Sequence, residues 1–208
     1  MAKKEIKKES IRKEIIDAAK IYSNDLAGKV FLYVFGDEFF EVLFSTKRFV
    51  HLTGVDTNLG ANDFYKKSKS SILTTSQFHF STRHPFDVAK KKLPCLLKLP
   101  ELTRNLVCVV KDMSTVTLTY KMGITNLDFT LGLTENVDEY NNKINNWWVP
   151  RTLRVKDKPI ENSTYGEFVD FIFVKSATAS KYEEVLYANE EVEIPDSVKS
   201  LLHKDLLK

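Results

Sequence analysis

Four histidines are spread through the 208 residues of the chain, and His51 has the neighbours best suited to proton transfer. It lies in RFVHLTGVDTNLGANDFY, residues 48–65, just ahead of a Thr53-Gly54 turn. The turn leads into a helix carrying Tyr65, Lys66 and Lys67. An imidazole, with an unperturbed pKa of about 6.5, gives or takes a proton near neutral pH. Phenol and ammonium groups nearby can hold an anion. Together they suit acid–base chemistry at a phosphodiester without a metal. A base takes a hydroxyl proton, an acid protonates the leaving oxygen, and cations or hydrogen-bond donors steady the phosphate. Taken alone, FVHLTG fits better a helix end whose imidazole bonds a carbonyl.

Other segments offer polar groups of the same kind. Arg83 and His84 sit in STRHPFD, a loop before a Pro-started helix, where cations and helix N–H groups can face an anion. The structural alternative is that His84 and Asp87 cap the helix. His79 alternates with Phe78 and Phe80 and ranks below His51. Thr125 closes a tight turn with Asn126, the usual work of a hydroxyl in that place. Arg151 and Arg154, an odd number of residues apart on one strand, point to opposite faces, and one of them could grip phosphate with its fork of donors. Lys175 and Ser176 end the apolar run FVDFIFVKSAT on opposite faces. Walker, dinucleotide, HExxH and CxxC motifs are all missing. With the histidines scattered singly, neither a metal nor a cofactor is expected.

Charge is unevenly distributed. The net charge is +3, but residues 46–100 hold ten Lys and Arg against three Asp, whereas residues 134–208 hold ten against fourteen acidic residues. A basic stretch without acidic compensation favours a polyanionic partner, the plain alternative being a solvated lysine face. Cys95 and Cys108 lie in apolar settings and are expected as buried thiols in a reducing cytoplasm. No apolar run is long enough to span a bilayer, and the N-terminus lacks the apolar core of a signal peptide.

These residues need elements to position them. Ile6, Ile11, Ile15, Ala18 or Ala19, and Tyr22 recur at helical spacing and predict one amphipathic helix over 2–26, ended by Gly28. A hairpin follows, 29–35 with 39–44 about Gly36-Asp37-Glu38. A short helix over 46–52 delivers His51. A helix over 61–72 has Asn58 or Asn62 as its cap, a short strand covers 77–80, and a helix over 85–97 should be kinked or shortened by Pro94. Strands are predicted at 106–111, 116–124 (after a DMST turn), 127–133, 148–155 and 168–176. An Asn-rich loop is predicted at 141–146, a short helix at 178–189, and then an acidic tail with a short amphipathic helix. Helices first and an antiparallel meander after define an α+β class. The expected organisation is an N-terminal helix (1–26), an α+β domain (27–189) and a C-terminal tail (190–208).

HLTG followed by an FYKK helix, with FLYVFGDEFFEVLF, FHFSTRHPFDVAKKKL, YKMGITNLDFTLGL and DFIFVKSAT, resembles the phage-associated nucleases of the barnase/EndoU/colicin/RelE-like superfamily over about residues 25–187. The resemblance implies N-terminal helices on a small antiparallel sheet. It also implies a metal-independent endoribonuclease, of phage or toxin type, that cleaves RNA by 2′-OH attack in a bacterial host's cytoplasm. His51 would be its base or acid, with Arg83 and Lys66 as phosphate clamps and Tyr65, Thr125 and Ser176 as hydrogen-bond donors. Thr53, Lys67, Arg151 and Lys175 would complete the substrate contacts. Ser176 is favoured over Lys175 by the resemblance alone. The rival expectation is an inactive phage-encoded protein that keeps the fold and inhibits a host defence protein or nuclease complex; the protein partner expected is a protein inhibitor or a host defence protein.

Overall fold

The computed structural model describes residues 2–114, 119–155 and 166–207. They form two compact units, one of Met1–Ala27 with Ser45–Pro100 and one of Gly28–Phe44 with Glu101–Lys208. The class is α+β, as the sequence implies. Among the described residues, no helix is long and apolar enough to cross a membrane.

The first unit is helical. α1 (Ala2–Asp25) packs against α3 (Ala61–Lys69) and α4 (Phe86–Leu97), and α2 (Phe49–Thr53) also packs against both. Ile11, Ile15, Ile16, Ala18, Ala19 and Tyr22 are buried along α1. Ile6 is not part of this stripe, since it is 69% exposed. Tyr22, Phe49 and Tyr65 meet edge to face, with ring centroids 5.3–6.0 Å apart. Two short strands, β3 (Asp56–Thr57) and β4 (Phe78–His79), pair antiparallel. Four local expectations are corrected. α3 starts at Gly60 without a side-chain cap from Asn58 or Asn62, and it stops at Lys69 instead of Ile72. β4 covers only Phe78–His79. α4 runs through Pro94 to Leu97, so the proline does not shorten it.

The second unit is a nine-stranded sheet in the order β11-β10-β1-β2-β8-β7-β6-β5-β9. Its strands are β1 (Lys29–Phe35), β2 (Glu38–Leu43), β5 (Cys108–Ser114), β6 (Thr119–Thr125), β7 (Phe129–Val137), β8 (Lys143–Val155), β9 (Glu167–Phe168), β10 (Phe171–Ser176) and β11 (Glu184–Ala188). Every pairing is antiparallel except β2 with β8, which meet in parallel at Val42 and Trp148. The hairpin of β1 and β2 stands as expected. Val30, Leu32, Val34, Phe171 and Phe173 cover one face with Tyr182, and the C-terminal segment adds Val198 from α5 (Asp196–Lys199) and Leu202.

Residues 178–189 are not a helix. Glu184–Ala188 pairs with β10, satisfying backbone groups that an edge strand would leave open. β5 extends to Ser114, so the expected DMST turn begins inside a strand, and the rest of it lies partly outside the described residues. The Asn-rich loop shrinks to a turn organised by Asp138, which accepts from the backbone N–H groups of Tyr140 and Asn142, and β8 starts at Lys143. Neither cysteine is in a disulfide, and both are half-buried rather than fully buried.

Candidate functional site

In the helical unit, the HLTG segment folds as its residue types demand. α2 ends at Gly54 in the left-handed region, with φ +75°, where a side chain is disfavoured. Thr53 is buried, and its hydroxyl donates to the carbonyl of Val50 at 2.7 Å. The threonine is thereby committed to the turn itself. His51, in the same helix, is an exposed residue.

Gly54 brings this turn against α4. A Cβ placed on it would stand 3.2 Å from the backbone N and Cα of Ala89. Two residues later Asp56 opens β3, and its Oδ1 lies 2.8 Å from Nδ1 of His84, in the loop just before α4. The HLTG turn therefore seats on α4, through Gly54 against Ala89, and the residues just after it meet the STRHP loop, through Asp56 against His84.

Several groups converge on Asp56. Its cross-strand neighbour is His79, and Ser81 hydrogen-bonds its carboxylate. Ser81 Oγ also accepts from the backbone N–H of His84 at 3.1 Å, and the Ser81 N–H donates to the His84 carbonyl. The loop is thus tied within itself by backbone bonds and to the carboxylate by two side chains. Burial pushes the Asp56 carboxyl up, but the hydrogen bonds from Ser81 and His84 and the charges of His84 and His79 outweigh it and hold the group below the usual carboxylate range. Ionised, it can only accept, so Nδ1 of His84 carries the hydrogen and Nε2 is left for other work. His84 does not cap α4, whose N-cap is Pro85 with no side-chain bond.

The remaining candidates divide between the units. Arg83 and Lys66 are exposed and Lys67 is half-buried, all in the helical unit. Tyr65 turns its ring into the Tyr22–Phe49 cluster and is 6% exposed. Helical spacing set it apart from Phe64, yet the buried arc of α3 is wide enough to take both.

In the sheet unit, Thr125 is buried and donates to the Phe129 carbonyl at 3.0 Å, closing its turn as its residue type suggests. Ser176 is exposed, with Oγ 3.0 Å from the hydroxyl of Thr178. Lys175 is nearly covered, with Nζ 3.8 Å from Glu41 Oε1 and 4.6 Å from the ring centre of Tyr182. Burial, reinforced by its hydrogen bond to Glu41, pushes the Tyr182 phenol well above its ordinary value. Arg151 is exposed in a bulge, where the β7–β8 register passes from Thr152 to Pro150. The bulge breaks the simple alternation expected between Arg151 and Arg154.

The missed residue is Asp56. Its neighbour in sequence is the HLTG segment, but its partner lies 28 residues away. A lone Asp after a Gly-Val turn gives no signal of that partner. Charge follows the same division as the fold. The helical unit holds 17 Lys and Arg against 8 Asp and Glu, and the sheet unit 14 against 20. A positively charged helical unit holding three of the four histidines, one of them fixed by a carboxylate, is equipped for acid–base chemistry on a polyanion.

The comparison with known families agrees with this class. The chain belongs to the phage-Barnase-EndoU-ColicinE5/D-RelE like nuclease 4 family, whose pattern it matches over residues 14–191. No curated protein and no solved structure matches it significantly.

Proposed function

We propose that the protein is a metal-independent endoribonuclease of phage or toxin type, cleaving RNA by attack of a 2′-OH on the adjacent phosphorus. The observation that supports this reading best is that the HLTG turn seats on α4 while Asp56, just after it, holds His84 of the STRHP loop, all within the basic helical unit. Exposed His51 supplies a proton-transfer group from the first segment, and exposed Arg83 a phosphate clamp from the second. Lys66, on α3, is a second cation. Thr53, Tyr65 and Thr125 serve as framework in this reading, because their side chains are buried. Cleavage leaves a 2′,3′-cyclic phosphate and a 5′-hydroxyl.

The test is to incubate the full chain with RNA in EDTA and identify the new ends. Cleavage to cyclic phosphates, reduced by about 10²-fold or more in His51→Ala, is the expected result. Intact RNA, or cleavage restored only by added metal, would defeat the proposal.

A further inference from the structure

We propose that His84, held by Asp56, is the general base of this reaction; the assignment rests on the ribonuclease reading above. Three observations carry it. The Asp56–His84 contact is 2.8 Å long, and the Ser81 bridge holds both partners, so the imidazole has one preferred orientation. The His84 side chain is 39% exposed, so the ring is not sealed in the core, and Nε2 is the nitrogen not bound to Asp56. Exposed Arg83 precedes it in the loop and supplies a cation on the same short segment. A partly exposed ion pair contributes little to stability and would not need the second tether through Ser81.

The direction of proton movement follows from the carboxylate. With Nδ1–H donated to the ionised Asp56, the lone pair of the ring is on Nε2, and that nitrogen is the one set to receive a proton. Nε2 takes the 2′-hydroxyl proton as the 2′-oxygen–phosphorus bond forms. The phosphorus–O5′ bond breaks, and O5′ leaves with a proton supplied by His51. The proton lost by the 2′-hydroxyl ends on His84, the one on O5′ comes from His51, and no redox change occurs. Asp56 is a positioning residue, acting only through His84.

The experiment uses the full chain in EDTA with two oligoribonucleotides of one cleavable linkage each. One has the natural bridging 5′-oxygen, and the other has sulfur there, which departs without protonation. Loss of the base should lower kcat by about 10²-fold or more on both substrates in His84→Gln. Loss of the acid should impair His51→Ala on the oxygen substrate and spare it on the sulfur one. Asp56→Asn should lower kcat with KM little changed. Wild-type rates in His84→Gln, or rescue of that variant by sulfur, would overturn the assignment.

A second readout does not depend on turnover. In imidazole 15N spectra of the wild type, inorganic phosphate should shift Nε2 of His84 saturably, and Asp56→Asn should erase its Nδ1–H tautomer. If the wild type cleaves no RNA, the ribonuclease reading falls by itself, and these spectra still decide His84. A saturable response supports a phosphate-facing imidazole, and none overturns it.

Discussion

A Cβ on Gly54 would lie 3.2 Å from the backbone of Ala89 and 3.1 Å from the Lys92 side chain, closer than ordinary van der Waals contact. The lysine can move away, whereas the α4 backbone cannot. Gly54 also holds φ +75°, which costs an L-residue about 1–2 kcal/mol. Gly54→Ala should therefore lose at least about 1–2 kcal/mol by denaturant unfolding. It should also loosen the Asp56–His84 contact, because Asp56 follows the same turn by two residues. An unchanged midpoint would mean that α2 does not seat on α4 as described.

The N-terminal helix belongs to the helical unit's core. It buries Ile11, Ile15, Ile16 and Tyr22 in a unit where it packs on α3 and α4. Four such side chains, at about 1.5–3 kcal/mol each, approach the whole stability of a typical domain, about 5–15 kcal/mol. Deletion of residues 1–24 should abolish the cooperative melt of this unit. A truncated chain that melts like the full one would assign the stripe to a partner instead.

The sequence made regular elements legible where the periodicity was long. α1, the β1–β2 hairpin and the short helix bearing His51 follow directly from spacing and from Gly28, Gly36 and Gly54. β11 was hidden because EVLYA is too short to separate strand from helix, and its identity is decided by the open edge of β10. Tyr65 was placed outward because the 100° step between neighbours says nothing of how wide a buried arc is. The His84–Asp56 contact depends on two two-residue strands and a serine bridge, and no local pattern announces such a meeting.

Lys175 shows how a residue suited to phosphate can be committed elsewhere. Its side chain is 9% exposed and lies beside Glu41, which also accepts from the Tyr182 hydroxyl at 2.5 Å. Removing one partner of a buried pair strands the other charge, at about 3–5 kcal/mol, whereas replacing both with apolar side chains is often neutral. Glu41→Leu alone should be strongly destabilising, and Glu41→Leu with Lys175→Met should recover most of the loss in a thermal melt. If the double variant is as unstable as the single, the two side chains are not coupled.

Acid should act on the helical unit through Asp56. Its carboxyl is held below its ordinary value of 3.8 in the folded state. A depressed folded value means that the contribution to stability is complete above the unfolded value and is lost as pH falls through the folded one. Melting temperatures followed downward from about pH 6 should fall less steeply in Asp56→Asn than in the wild type below about pH 4. Parallel curves would show that the Ser81 and His84 bonds leave the proton affinity of Asp56 unchanged.

The helical unit's excess of 17 basic over 8 acidic residues should govern affinity for RNA. Each phosphate neutralised on a single strand releases counterions and steepens the slope of log K against log salt by about 0.7. Lys69 and Lys90 are exposed on α3 and α4, so charge reversal at both alters electrostatics without touching the core. The double reversal should weaken binding at low salt and reduce the slope, with the melting temperature unchanged. It should also separate binding from chemistry, since His51, Asp56 and His84 keep their places and kcat at saturating RNA should stay near the wild-type value. A salt-independent affinity in the wild type would mean that the basic unit does not meet the phosphate backbone, and the polyanion argument would be lost with it.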